Sequence, residues 1–328
     1  MKITVRNICS WLIASLLIIF GVVRRARMKA MRGDYILSLY FHKPTKEEFE
    51  KSVRWLKHKG FTFLSPADVL DIIRENLELP KGAIIITVDD GWQSNESSIV
   101  EIANKYCVPV TIFVSTEPVE EGAYWWSYLN VAEGTPLVVP SKATLKRMHN
   151  NDRLSIINDI KKYRSIEREA LTIEQVKQAA CSPYVTIGGH THSHPILINC
   201  EDEDVVEELK ISKRKLETWM HKEVDFFAYP NGDYGQREMV VLRNLGYKLA
   251  FSSKPQYLTK ESLKDYFELP RFGYLEGASF AENICRMVGI WQPLVQKLQG
   301  TYKLDTKIKV TPSSAPPIKV PKTLPQFN

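Results

Sequence analysis

Residues 83–91 read AIIITVDDG: Ala83, Ile84, Ile85, Ile86, Thr87, Val88, then Asp89, Asp90 and Gly91. An uninterrupted apolar run ends abruptly in two adjacent carboxylates and a glycine. Such a run, bounded by a turn signal, suits a strand buried on both faces, the pattern of a parallel sheet. In parallel α/β proteins, functional groups gather where strands end. Two neighbouring carboxylates buried without a counter-charge are costly, and a metal cation would remove that cost. The plainer alternative is a turn in which Asp89 or Asp90 caps the next helix. Asp-Asp-Gly by itself does not separate the two.

Working outward, the same rhythm repeats. Strands are expected at Tyr35–Phe41, Phe61–Leu64, Ala83–Val88, Val110–Val114, Val185–Gly188, Phe226–Tyr229, Leu249–Ser252 and Phe267–Arg271. Helices are expected at Lys46–Lys59, Ala67–Asn76, Glu96–Tyr106, Ile173–Ala180, Asp204–Met220 and Gln236–Leu245. Thr45 and Glu48 have capping-box spacing at the first helix, and Pro66 suits the opening turn of the second. Alternating strands and helices imply an α/β fold, either a barrel or an open doubly wound sheet. Residues 117–171 break the rhythm, with Trp125, Trp126 and Tyr128 near the start of the interruption.

A second segment weighs the alternatives. Residues 185–195 read VTIGGHTHSHP, again at an expected strand end, and hold His190, His192 and His194 of the chain's 7 histidines. Neutral imidazole is a common metal ligand. Two histidines with one carboxylate would leave coordination positions open for water and substrate, as a catalytic site requires.

These segments resemble the motifs of the NodB-homology polysaccharide deacetylases. The first motif is similar to Thr87-Val88-Asp89-Asp90-Gly91 and the second to His190-Thr191-His192-Ser193-His194. The third is similar to Phe227-Ala228-Tyr229-Pro230-Asn231-Gly232. The likeness runs in order from about Tyr35 to Arg271. It implies a distorted (β/α)7 barrel, with Asp90, His190 and His194 as metal ligands and Asp89 as general base. His192 falls at a variable position of the motif. The backbone N–H of Asn231 becomes an oxyanion donor.

Two departures stand out. The arginine that opens the third motif, and orients the base, is replaced by Ala228. The late Leu-x-His motif that supplies the acid is missing, since no histidine follows His221. A branch of the family with permuted motifs carries its acid histidine on the first strand. Residues 37–42 (LSLYFH), 45–50 (TKEEFE) and 55–61 (WLKHKGF) resemble that opening. The likeness makes His42 the acid and Arg271, at another strand end, the stand-in for the missing arginine.

The implied activity is removal of N-acetyl groups from an amino sugar of a polysaccharide or glycolipid. The cofactor is a divalent metal ion, with Zn²⁺ the first choice. Hydrolysis of O-acetyl esters by the same site is one alternative. A metal-holding carbohydrate-binding protein with little catalysis, suggested by Ala228, is another.

Composition sets the frame. The 328 residues are 44% hydrophobic and 25% charged, an ordinary globular balance, with a net charge of +6. The excess positive charge crowds the two ends, so nucleic-acid binding by the folded body has little support. The 5 cysteines are widely spaced and include no CxxC pair, which argues against a disulfide framework. Residues 8–23 (ICSWLIASLLIIFGVV) carry no charge, somewhat short of the roughly 20 needed to span a bilayer. No small-residue cleavage site follows; Arg24, Arg25 and Arg27 follow instead. The expectation is a single-pass membrane anchor over 1–27, a catalytic domain over 28–300, and a disordered Pro- and Lys-rich tail over 301–328. Positive charge just after the apolar run places the catalytic body on the cytoplasmic side by the positive-inside rule.

Overall fold

The computed structural model describes residues 4–298 apart from Gly134; the expected tail, 301–328, lies outside the described residues. Two helices come first, α1 (Val5–Ile19) and α2 (Val22–Ala30). The alternating body follows: β1 (Leu37–Phe41), α3 (Lys46–His58), β2 (Thr62–Leu64), α4 (Pro66–Arg74) and β3 (Ala83–Val88). A π-helical turn, Glu96–Val100, runs into α5 (Glu101–Tyr106), and β4 is Val110–Val114. Next come α6 (Thr116–Glu121), α7 (Trp125–Val131), α8 (Lys142–Leu145), α9 (Asn150–Lys161) and α10 (Ile173–Cys181). The chain continues through β5 (Val185–Gly189), α11 (Asp202–Met220), β6 (Phe226–Ala228), α12 (Gln236–Asn244) and β7 (Leu249–Phe251). It ends with β8 (Phe272–Gly273), α13 (Phe280–Met287) and α14 (Trp291–Leu298).

The local signals act as their chemistry dictates. Thr45 and Glu48 form a reciprocal capping box at α3, and Ser65 with Asp68 does the same at α4, where Pro66 takes the first turn. All six residues of β3 are buried. Burying Ile84, Ile85 and Ile86 contributes roughly 1.5–3 kcal/mol each, which holds this strand at the centre of the sheet.

The strands pair in parallel in the order β7-β6-β5-β4-β3-β1-β8, with β2 also beside β3. This is the distorted (β/α)7 barrel that the motifs implied. It does not close by a regular ladder between β7 and β8. The expected strand over Phe267–Arg271 is not one: pairing with β1 falls to Phe272 and Gly273. Leu269 instead makes a single parallel bridge to Phe251. Pro270 lacks the N–H a continuing ladder would need. That irregular crossing delivers Arg271 to the site. The interruption over 117–171 holds four short helices, α6 to α9, around a cluster of Trp125, Tyr128, Leu145, Ile157 and Ile160.

The N-terminal apolar run forms two helices rather than one. Gly21 sits at φ 72, and α1 and α2 meet at a bend of 65°. Among the described residues no single helix is long and apolar enough to cross a membrane. One flank of each helix packs on the body: Ala14 of α1 and Val23 and Ala26 of α2 share a buried cluster with Cys285, Val288 and Trp291. Arg6 reaches the buried Glu282 at 2.6 Å. The 5 cysteines are free thiols.

Candidate active site

Asp89 stands just beyond β3, its N–H donating to the Phe41 carbonyl at 2.8 Å. Arg271 grips it in a fork, Nη1 to Oδ1 at 2.7 Å and Nη2 to Oδ2 at 2.8 Å. The guanidinium is itself fixed. Its Nε donates to the Ser252 carbonyl at 2.8 Å and its Nη1 to the Thr87 hydroxyl at 2.9 Å, with the Tyr40 ring 4.7 Å away. Arg271 is 1% exposed and Asp89 4%. Burial pushes the Asp89 carboxyl up, but the Arg271 charge, the neighbouring His190 and the fork outweigh it, so the group lies below its usual range. The result is a carboxylate held ionised and oriented. The vacancy at Ala228 is thus filled from another strand end, where a planar fork matches a carboxylate as lysine could not.

Asp90 takes φ 78, and its side chain meets His190 and His194. Its Oδ1 lies 3.5 Å from His190 Nε2 and 3.2 Å from His194 Nε2. The three potential ligand atoms fall within 4.8 Å of one another. His190 Nδ1 is 2.7 Å from the Ala228 carbonyl, which can only accept, so this nitrogen carries the ring proton. The His190 Nε2 is the ring atom that faces the Asp90 carboxylate. A divalent cation among the three side chains would meet one nitrogen of each histidine and the carboxylate charge. The other oxygen of Asp90 accepts from Trp92 Nε1 at 2.9 Å, which leaves Oδ1 for that cation. Burial, chiefly, lowers the pKa of His194 to about 4, so the ring is neutral and able to ligate near pH 7. The buried His194 Nδ1 has no hydrogen-bond partner. The donor set fits a divalent metal ion.

His42 ends β1, with its carbonyl held by Asn95 at 3.1 Å and its N–H by Glu276 at 2.9 Å. It and Asn231 line the same cavity as Asp89, Asp90, His190 and His194, of about 380 Å³. Asn231 adopts φ 60, and its side-chain oxygen accepts from Lys146 at 2.6 Å. All seven residues singled out in the sequence therefore converge on one cavity. His192 does not: its Nδ1 pairs with the Thr116 hydroxyl at 2.8 Å, outside the metal cup.

Sequence reasoning missed the residues that hold the loop. Thr191 at φ 68 and His194 at φ 56 occupy a backbone region that costs roughly 1–3 kcal/mol per residue. Glu208 on α11 offsets this, accepting the His192 and Ser193 N–H groups at 2.8 Å each and the Ser193 hydroxyl at 2.6 Å. The Ser115 hydroxyl donates to the His190 carbonyl at 2.7 Å. Trp125 Nε1 and Arg153 Nη1 donate to the His194 carbonyl at 3.1 and 3.2 Å. Spacing gives one hint: Glu208 lies three residues after Val205 and four before Ser212, both buried on α11. The two glycines before the loop have a steric role. A Cβ on Gly188 would come within 2.5 Å of the Phe113 ring.

Fold and site together define a parallel barrel whose strand ends present an Asp-His-His cup beside an arginine-backed aspartate. The chain belongs to the polysaccharide deacetylase family, whose pattern matches residues 76–250. It is 23% identical over 250 residues to the poly-beta-1,6-N-acetyl-D-glucosamine N-deacetylase of Staphylococcus aureus (strain N315), 71% of each chain. It is 20% identical over 210 residues to the YxkH protein of Bacillus subtilis (strain 168), spanning 64% of this chain and 58% of that one. The fold is similar to that of the Streptococcus pyogenes deacetylase PplD, with a TM-score of 0.57 at 20% identity, covering 77% of this chain and 98% of that one. It is equally similar to IcaB from Ammonifex degensii, with a TM-score of 0.57 at 18% identity, covering 78% and 97%.

Proposed function

We propose that this chain is a metal-dependent hydrolase that removes N-acetyl groups from an amino sugar of a glycan. The observation that carries this reading is the adjacency of Asp89, forked by Arg271, and the cup of Asp90, His190 and His194. A divalent cation in that cup, zinc by preference, would polarise the acetyl carbonyl and acidify a water molecule. Asp89, ionised by its environment, accepts the proton of the attacking water. The Asn231 N–H, placed at the cavity wall by the Pro230 turn, donates to the developing oxyanion. His42 donates a proton to the departing amine, and acetate and a free amino sugar result. The test is acetate release from an N-acetylglucosamine oligomer. Chelation should abolish it and added Zn²⁺ restore it; full turnover by metal-free protein would refute the reading.

We also infer that the enzyme works at a membrane surface, through the exposed face of α1. While one flank of α1 packs on α13, Ile8, Trp11, Leu12, Leu16, Ile19 and Phe20 are exposed. Arg24, Arg25, Lys29 and Arg32 line a groove beside Ile19 and Phe20. An apolar face edged by basic residues suits an anionic lipid interface. Flotation with anionic vesicles, reduced by Trp11→Ser with Phe20→Ser, is the expected result. Equal flotation of protein and variant would exclude this face.

A further inference from the structure

The cavity wall above the cup is charged in a way the hydrolysis does not use. Among its lining residues the carboxylates are Asp89 and Asp90. Asp89 is already matched by Arg271, and Asp90 faces the two histidines. Lys142 and Lys146, one turn apart on and just after α8, also line the cavity. The Lys142 ammonium lies 5.1 Å from the Trp126 ring centroid, and that ring in turn packs against His194 with centroids 4.7 Å apart. One aromatic ring thus separates the ammonium from the cup. The Lys146 ammonium donates to the neutral side-chain oxygen of Asn231, not to a carboxylate.

The backbone that carries both lysines is held. Ser141 caps α8 through the Thr144 N–H, Leu145 is buried, and Asn199 donates to the Lys146 carbonyl at 2.9 Å. Partial burial, and then the charge of Lys146, lower the pKa of Lys142, while Asp90 raises it. Two like charges side by side at a reaction cavity, with no ion pair of their own among the described residues, call for an anion.

We propose that Lys142 and Lys146 form an oxyanion subsite, so that the glycan deacetylated here carries a carboxylate or phosphoryl group on the acetylated sugar or its neighbour. This rests on the deacetylase reading above and names its substrate class. Trp126 lies between subsite and cup, its ring against His194, and the two ammonium groups take the charge.

The test uses the full chain with added zinc and three tetramers of N-acetylglucosamine: neutral, oxidised to a carboxylate at C6, and phosphorylated at C6. A charge-assisted contact predicts kcat/KM about tenfold higher on an anionic tetramer at low salt, shrinking as salt screens it. Lys142→Ala with Lys146→Ala should remove the advantage, chiefly through KM, and the paired Lys→Arg changes should keep it. Preference for one anionic tetramer identifies which group the subsite takes. Equal or better turnover of the neutral tetramer overturns the subsite, as does an advantage that survives the alanine pair. Calorimetric binding of the three tetramers reads the subsite without turnover. Tighter anionic binding with no acetate release would sink the deacetylase reading but keep the subsite; equal binding would sink the subsite.

Discussion

Asp89 and Trp126 line one cavity but come from regions built on different principles. The floor consists of strand ends. β1 delivers His42, β3 delivers Asp89 and Asp90, β5 delivers His190 and His194, and the crossing before β8 delivers Arg271. The parallel strands β1, β3 and β5 fix where His42, Asp89, Asp90 and His190 begin, and Arg271 matches the Asp89 charge. The roof is the insertion of α6 to α9, short helices held by their own aromatic cluster. It meets the floor through hydrogen bonds from Trp125 and Arg153 to the His194 carbonyl, between Thr116 and His192 and from Lys146 to Asn231, and through the Trp126 ring against His194. Its cations, Lys142 and Lys146, are unmatched. The difference suggests a division of labour in which the floor performs the reaction and the roof chooses what reaches it.

If that division is right, floor substitutions cost orders of magnitude and roof substitutions cost little in chemistry. The largest effect is expected at His42. General acid–base groups contribute roughly 10²–10⁴-fold in rate, so His42→Ala should lower kcat on an amide by about that much while bound metal stays the same. The loss should shrink for an aryl ester, whose leaving group needs no proton. Full amide turnover by the variant, or loss of metal, would move the acid elsewhere.

Arg271→Lys comes next. Lysine keeps the charge but loses the fork and the bonds to Ser252 and Thr87. We expect kcat/KM to fall about 10–100-fold, the range set by the cost of charged hydrogen bonds. The pH dependence supplies a sharper check. Arg271 holds the Asp89 pKa below its usual value against burial, which pushes it up. With the fork gone the pKa rises, so the acid limb of the kcat/KM profile should move to higher pH. An unmoved limb would mean that Asp89 is not the base.

How much of this was legible in the sequence follows the same divide. The floor announces itself because a strand buried on both faces must be apolar, so AIIITVDD and VTIGGHTH stand out against any background. What pairs with what was harder. Arg271 was singled out as a replacement arginine, but the strand expected around it does not form; Leu269-Pro270 crosses the barrel seam instead. A local pattern cannot show that a non-pairing segment aims a guanidinium at a residue 182 positions away. The roof was legible only as an interruption. Helices as short as Lys142–Leu145 carry no periodicity, and their stability comes from tertiary aromatic packing. Residues 8–23 were legible as an uncharged apolar run but not as two helices. Composition alone does not show that one flank of α1 faces α13 or that the chain bends at Gly21.

The smallest effect should come from the roof. Trp125 Nε1 and Arg153 Nη1 share the His194 carbonyl, whose two lone pairs can accept both. Trp125→Phe keeps an aromatic ring in the cluster and over the Arg153 guanidinium, 4.8 Å away, but deletes one donor. Because Arg153 still satisfies the carbonyl, the loss should be that of one neutral hydrogen bond, about 0.5–1.5 kcal/mol. His194 holds φ 56 against a backbone preference, so the missing bond lets that residue relax and should appear first in metal affinity. A weakening of up to about tenfold is expected, within the range for residues that orient ligands, with kcat at saturating zinc nearly intact. Zinc titration against a competing chelator measures it, with His192→Ala as a control whose ring lies on Thr116 outside the cup. A fall in saturated kcat as large as that of His42→Ala would break the contrast between floor and roof. It would place the insertion within the catalytic apparatus.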